Sequence, residues 1–375
     1  MEKKFVIIDN GSGFVKAGFS GEFEPKVISP TVVGYPKDRS SNENENNSKI
    51  LFGQEALDKK EEVDIIRPIQ QGIVTDLDSM TLYWDNLFKN ELKIDPSEHG
   101  VLLIERLLTP VKIREKIINL FFEHFNVPSL YINNSATFTL YGIRKFSGIV
   151  VDSGYDYTMF TPLRNGYPFI SPIQTLDIGG KDIDDYLQTL LNEKGYKNIP
   201  NITEIKEKYS YISKNPDEEN TNEEELELPD KTKIKLKDEK FLSTELFYHP
   251  EYIGKELGGI ARKLFNTIYD TDHYLKKELQ GPIVLAGGNT LFKGFEDRFS
   301  YESKIEAIGL FKDRIKVYAP AERRYVQWVG GSIFSLTNVF PNLCTNKAEF
   351  EECLYFYRYS IYIIVQIYYN LLFQL

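Results

Sequence analysis

The sequence predicts an α/β protein of two similar halves around a cleft, and three observations predict it. An apolar strand, Phe5 to Ile8, runs into Asp9 and the turn Asn10-Gly11-Ser12-Gly13, then returns as Phe14 to Phe19. About 140 residues further on, the stretch from Ile149 to Phe160 repeats the pattern, with Asp152-Ser153-Gly154 at its turn and Thr158 beyond. Elsewhere strands alternate with helices, the pattern of an α/β domain.

The two turns suggest a chemistry. Two glycines within three residues admit positive φ and leave backbone N–H groups uncovered. Such a turn can wrap a phosphate, with Ser12 adding a hydroxyl and Lys16 a charge. Asp9 stands at the mouth of its strand, where a carboxylate can hold a metal through water. Alone, the first stretch reads as an ordinary Gly-Ser hairpin. Its recurrence at Asp152 suggests two half-domains clamping one phosphate chain from opposite sides. A third apolar strand, from Ile283, ends in the Gly287-Gly288 turn.

Composition narrows the classes. A chain of 375 residues has room for one to three compact units and a large core. Hydrophobic residues at 42% and charged ones at 27% are ordinary for a globular protein. The net charge of −10 argues against general binding to a phosphate backbone, without excluding a local basic patch. Two cysteines, Cys344 and Cys353, fit a reducing compartment and no disulfide framework. The four histidines have no zinc-ligand spacing. Glu2, Lys3 and Lys4 precede a strand, so no secretory signal is expected, and cytoplasm or nucleus is the expected location.

Taken in order, Lys26 to Tyr35 is extended, with β-branched residues and bounding prolines. Residues 38–49 are polar and of low complexity, a solvated loop. Asp76 to Leu92 has helical spacing at Met80, Tyr83 and Leu87. Val101 to Glu105 is a strand. Thr109-Pro110 starts a helix to Phe125, with Ile113, Ile117, Leu120, Phe121 and His124 on one side, His124 as a packed or surface residue. Asn133 to Phe146 is a further helix. At Asp177 to Lys181 a Gly-Gly turn opens a helix to Leu191, which suits close approach to a nucleotide. Residues 214–227 are an acidic, solvated loop. A hairpin, Lys233 to Leu236 and then Phe241, and a helix from Tyr252 to Tyr269 complete the pattern. The last 22 residues, with eight aromatics, differ from the rest. Arg358, Gln366 and Asn370 dilute them as a membrane span. An amphipathic docking element or a wrongly joined exon is the preferred reading.

The three strand–turn segments resemble the actin-like ATPase superfamily of actins, heat-shock ATPases and sugar kinases. The resemblance to actins is closer. It rests on DNGSGFVKAGFSGE from Asp9, FFEHFNVPSLYI from Phe121, LDIGGKDIDDYL from Leu176, EIKEKYSYI from Glu204 and APAERRYVQWVGGSIF from Ala319, in actin's order, and covers roughly residues 4–352. SYISKNP from Ser210 and GNTLFKGFEDRF from Gly288 lean toward the centractin branch, which forms the dynactin filament. The resemblance implies an actin-like ATPase fold with smaller outer subdomains. Its first half spans 1–134 and carries the loop 38–49. Its second spans 135–352, with a nucleotide-contacting subdomain at about 178–260, and a tail follows at 353–375. Actin's corresponding loop docks on the next filament subunit through apolar residues that 38–49 lacks.

The resemblance also implies roles. Gly11, Ser12, Gly13 and Lys16 would hold the β- and γ-phosphates of ATP or ADP from one side, Ser153 and Gly154 from the other. Asp9 and Asp152 would bind water around Mg²⁺. Lys206 and Glu207 would lie at adenine and ribose, and Arg324 takes the place of a lysine beside the base. Gly180, Gly287 and Gly288 would make close backbone contacts. The hydrolytic end departs from actin. Ser135 stands where a glutamine orients the attacking water, Tyr155 replaces an acidic residue, and Met159 replaces a histidine. The neighbouring Asn134 is a poor substitute. With Ser135 and Asp152 as the catalytic candidates, ATP binding with slow or lost hydrolysis is expected. The preferred reading is a structural subunit among other actin or actin-related subunits and complex partners. Its settings are a centractin-like filament, a cytoskeletal assembly, or a nuclear chromatin-remodelling complex. The alternative is a true ATPase, either a polymerising actin or a phosphotransferase; no segment supplies a sugar kinase's aspartate and sugar pocket. Neither sequence-specific nucleic-acid binding nor a membrane is expected.

Overall fold

Val6, Ile7 and Ile8 are fully buried because the strand they form, Val6–Asn10, lies inside a six-stranded sheet. In the computed structural model, residues 4–37, 49–197, 199–228, 231, 233–271, 282–307, 312 and 315–352 are described. The loop expected at 38–49, except Lys49, and the 353–375 tail lie outside them. The chain divides into two compact units. The first takes the described residues of 1–10, 14–135 and 331–375, and the second those of 11–13 and 136–330.

The first unit's sheet runs Thr345–Asn346, Ser129–Asn134, Val101–Glu105, Val6–Asn10, Phe14–Phe19, Val27–Pro30. Val6–Asn10 is antiparallel to Phe14–Phe19 and parallel to Val101–Glu105. Strands covered on both faces read as continuous apolar runs, as VLLI at Val101 does. The helix Leu77–Asn86, capped by the Asp76 carboxylate on the Ser79 N–H, continues as a π-helical turn, Leu87–Leu92. Val111–Asn119 continues likewise into Leu120–His124. These helices bury Trp84, Phe88, Phe121 and Phe125, whose rings meet edge-on, Trp84 and Phe121 at 5.0 Å. His124 is a surface residue, 3.2 Å from Asp85.

The second unit's sheet repeats that arrangement. Gly148–Ser153 is antiparallel to Thr158–Arg164 and parallel to Ile283–Ala286, which is parallel to Val317–Tyr318. Tyr167–Pro168 and Gln174–Leu176 flank Thr158–Arg164. The helices Ile260–Asp270 and Phe295–Glu306 pack together beside this sheet. A second contact has no side chain between its backbones. Helix Val326–Phe334 presents Gly330 to the Phe138 carbonyl of helix Ser135–Gly142, and a Cβ there would overlap it.

Four local expectations are corrected. Asn133 and Asn134 close a strand, so the helix expected from Asn133 starts at Ser135, and it ends at Gly142 ahead of Arg144 at φ +58°. The acidic stretch 214–227 is not wholly loop, because Glu224–Glu227 pairs with Lys233–Leu236. Cross-strand ion pairs, Glu225–Lys233 at 2.6 Å and Glu223–Lys235 at 2.7 Å, offset the like charges. That strand, not Phe241, completes the hairpin; Phe241 is buried in a short helix, Glu239–Leu242. The helix expected from Tyr252 starts at Ile260, since Gly254 and Gly258 at positive φ break the run. Among the described residues no helix is long and apolar enough to cross a membrane.

Gly330→Ala should destabilise the chain by about 3 kcal/mol, read as a fall in urea midpoint, because a methyl must displace backbone. Glu245 offers a pH test. It is 1% exposed, neither carboxylate oxygen makes a hydrogen bond, and Arg298 lies 3.7 Å away. Burial raises its pKa, against the pull of Arg298. The folded state therefore holds this proton more tightly than the unfolded chain, and the stabilisation is lost as pH rises through the folded value. From about pH 4.5 upward, the wild-type urea midpoint should fall relative to that of Glu245→Gln.

Candidate functional site

Each unit closes its central hairpin on an aspartate, and the partner opposite that aspartate differs. In the first unit Asp9 faces Lys16 across the strands. The ammonium lies 2.9 Å from Asp9 Oδ2, with Asp9 buried and Lys16 partly buried. Asn10 Oδ1 accepts from Trp84 Nε1 at 3.3 Å. Ser135 opens the helix Ser135–Gly142, and the Asn134 amide donates to Asn133 Oδ1 at 2.9 Å.

One residue here escaped the sequence reading. Glu105 closes the strand beside Val6–Asn10 in register with Asn134. It is buried and paired with Arg114. Burial pushes its carboxyl up while Arg114 pulls it down. The legible signal was a charge ending the apolar run VLLI.

In the second unit Asp152 faces Met159, which is 5% exposed. The Ser153 hydroxyl is fully buried, 2.8 Å from Thr158 Oγ1, and accepts from Asn289 Nδ2 at 3.2 Å. Any anion contact from Ser153 therefore falls to its backbone. Gly154 and Tyr155 give their carbonyls to the start of helix Gly180–Glu193. Gly180 N–H donates to Gly154 O at 3.0 Å and Lys181 N–H to Tyr155 O at 2.9 Å. Gly180 thus packs against the turn through its amide.

The turn Gly11–Gly13 clusters with this unit. A Cβ on Gly13 would lie 2.8 Å from Tyr155 Cβ. Gly287, at φ +88°, packs where a Cβ would strike the Ser153 carbonyl and come within 2.7 Å of Asp152 Oδ1. Gly288 is exposed, and a Cβ there would meet nothing within 4 Å; at Gly154 the nearest atom would be 3.8 Å away. Gly288 leaves uncovered backbone, whereas the Gly154 amide already donates to the Tyr157 carbonyl at 3.0 Å. Both turns leave space for a phosphate, and Gly288 the backbone to meet it.

Lys206 is 4% exposed, 2.9 Å from Asp184 Oδ1, and donates to the Gly180 carbonyl at 2.8 Å. Thr203 Oγ1 donates to Asp184 Oδ2 at 2.9 Å. Burial raises the Asp184 pKa and Lys206 opposes it. Glu207 is exposed on the helix Ile202–Tyr209, and Arg324 is exposed after Arg323. The Asn289 amide, also missed from sequence, joins Ser153 to the Gly154 carbonyl.

Among the described residues no group of three or more His, Cys, Asp or Glu is placed to hold a metal. Asp9 and Asp152 each stand as one carboxylate at a strand end, which suits a hydrated cation held through water.

Lys206→Met should cost roughly 3–5 kcal/mol in urea unfolding, because it leaves Asp184 buried without its cation. Adding Asp184→Leu should recover part of that loss.

A family model described as Actin matches residues 1–203 and 201–354. The match spans both hairpins and the Gly287-Gly288 turn. The chain belongs to the actin family.

Proposed function

We propose that this chain binds an adenine nucleotide, ATP or ADP with Mg²⁺, and serves as a cytoskeletal or complex-scaffolding subunit that hydrolyses ATP slowly or not at all. The observation that carries this is the contrast between the two hairpins. Their strand registers are equivalent, yet the partner of Asp9 is the cation Lys16 and the partner of Asp152 is the buried thioether Met159. Binding elements are retained while polar groups suited to moving a proton or holding a water are replaced.

The residues divide by role. The Gly11–Gly13 turn brings backbone to phosphate oxygens, and the Ser153–Gly154 turn, whose Gly154 amide donates to the Tyr157 carbonyl at 3.0 Å, leaves space beside it. Lys16 adds positive charge beside Asp9. Asp9 and Asp152 suit waters around Mg²⁺, which when bound neutralises phosphate charge. Gly288 allows close approach of the nucleotide to backbone, and Glu207 and Arg324 are exposed for contact with ribose and base. Lys206 acts from behind, fixing the Gly180 carbonyl. Ser135 has a side chain too short to hold a water in line as glutamine does. Nucleophile positioning is worth several kcal/mol of barrier, so its loss slows turnover strongly.

The centractin-like setting rests on the SYISKNP and GNTLFKGFEDRF segments. Within it, Ser213 donates to Glu219 at 2.5 Å and Arg298 to the Ser213 carbonyl at 2.7 Å, a buried packing role for the segment.

Acid release and chromatography test the reading. The folded chain should yield an adenine nucleotide, and ATP added with Mg²⁺ should persist over hours. Steady conversion to ADP would show that another group positions the water and would overturn the slow-hydrolysis reading. Robust ATP-dependent filaments pelleting from the isolated chain would overturn the scaffolding one.

A further inference from the structure

The sheet of the second unit stops bonding before it reaches the site. The last pair between Gly148–Ser153 and Ile283–Ala286 is Asp152 with Ala286. Past it the Gly287 N–H turns away and donates to the Arg323 carbonyl at 2.9 Å. The Gly287 carbonyl accepts from the Thr290 amide at 3.2 Å and the Thr290 hydroxyl at 2.7 Å. The Gly287-Gly288 turn is thus braced on its own side, and a side chain spans the gap to the turn at Ser153.

That side chain is Asn289, which is buried. Its Nδ2 donates to the Gly154 carbonyl at 2.5 Å and to the Ser153 hydroxyl at 3.2 Å. The surrounding bonds demand a donor there. Thr158 Oγ1 gives its proton to the Ile178 carbonyl at 3.1 Å, so the Ser153 hydroxyl, 2.8 Å from Thr158 Oγ1, gives its own to Thr158. Ser153 can then only accept from position 289, and a carbonyl such as that of Gly154 never does otherwise. Both protons of the Asn289 amide are spent inside the protein. The Gly154 carbonyl also takes the Gly180 amide at 3.0 Å, and the Gly180 carbonyl takes Lys206. One chain of bonds therefore runs from the Gly288 turn, through the second turn, to the helix Ile202–Tyr209.

We infer that Asn289 is a positioning residue for the nucleotide. It fixes the uncovered Gly288 backbone against the space beside Gly154, so that a ligand meeting both finds them at a set distance. This rests on the nucleotide-binding reading above and deepens it.

Titration of a ribose-labelled fluorescent ADP with Mg²⁺ into the full chain tests this, beside the urea midpoint of each nucleotide-free variant. Asn289→Leu keeps the size of the side chain and removes the donor without adding charge. Asn289→Ser keeps a hydroxyl too short to span the gap. Each should weaken ADP at least about tenfold in chain that is still folded. Asn289→Asp should bind weakly at about pH 8 and recover toward about pH 5, relative to the wild type at each pH, because a protonated carboxyl regains one donor. Asn289→Leu should show no such recovery. A residue serving the fold alone would shift the urea midpoint and leave the affinity of folded chain unchanged, and that result in Asn289→Leu or, where that variant does not fold, in Asn289→Ser overturns the inference. Weak binding by Asn289→Asp alone, with the other two at wild-type affinity, overturns it as well, since charge would then be the whole effect. If the wild type does not bind the labelled ADP, the nucleotide-binding reading falls, and this inference with it.

Discussion

Two backbone hydrogen bonds, from Gly180 and Lys181 to the carbonyls of Gly154 and Tyr155, fix the second turn of this protein. They use amides at the start of a helix, which have no partner within it. The helix in turn is held by Lys206 on the Gly180 carbonyl and by the Asp182 carboxylate on the Gly179 amide at 2.9 Å. Gly179 and Gly287 let backbone approach where any side chain would collide. The turn is thus rigid before any ligand arrives.

The two units show one hairpin used with two chemistries. In both, an apolar strand closes on aspartate and pairs with an antiparallel partner on one side and a parallel one on the other. Lys16 and Met159 occupy equivalent register positions opposite Asp9 and Asp152. The first carboxylate is held by a charge and the second lies beside an apolar side chain. One strand geometry thus carries two different polar contents.

Much of the fold was legible because strands buried on both faces leave unbroken apolar runs, and helices leave spaced ones. The runs at Val6, Val101, Ile149 and Ile283, and the helices from Asp76 and Val111, were readable in this way. Asn133 and Asn134 were not, since polar residues at the end of a parallel strand look like a helix start. Glu224–Glu227 was hidden because four successive residues, three of them glutamate, suggest repulsion until the lysines opposite are known. In the site, the glycines and aspartates showed themselves. Glu105 and Asn289 did not, because their importance comes from burial and a distant partner. Nor could sequence tell that Lys206 is enclosed or that Tyr155 meets Gly13.

Among the described residues the small sheet of Glu224–Glu227 and Lys233–Leu236 has two strands, so each is an edge. An open edge can take up a strand from another molecule and seed aggregation. Here glutamates line one strand, and Lys233 and Lys235 are exposed on the other. An incoming copy laid glutamate strand against glutamate strand, or lysine against lysine, meets its own charge. The charges therefore make the edges selective: like edges repel, and only a strand of the opposite sign can be added.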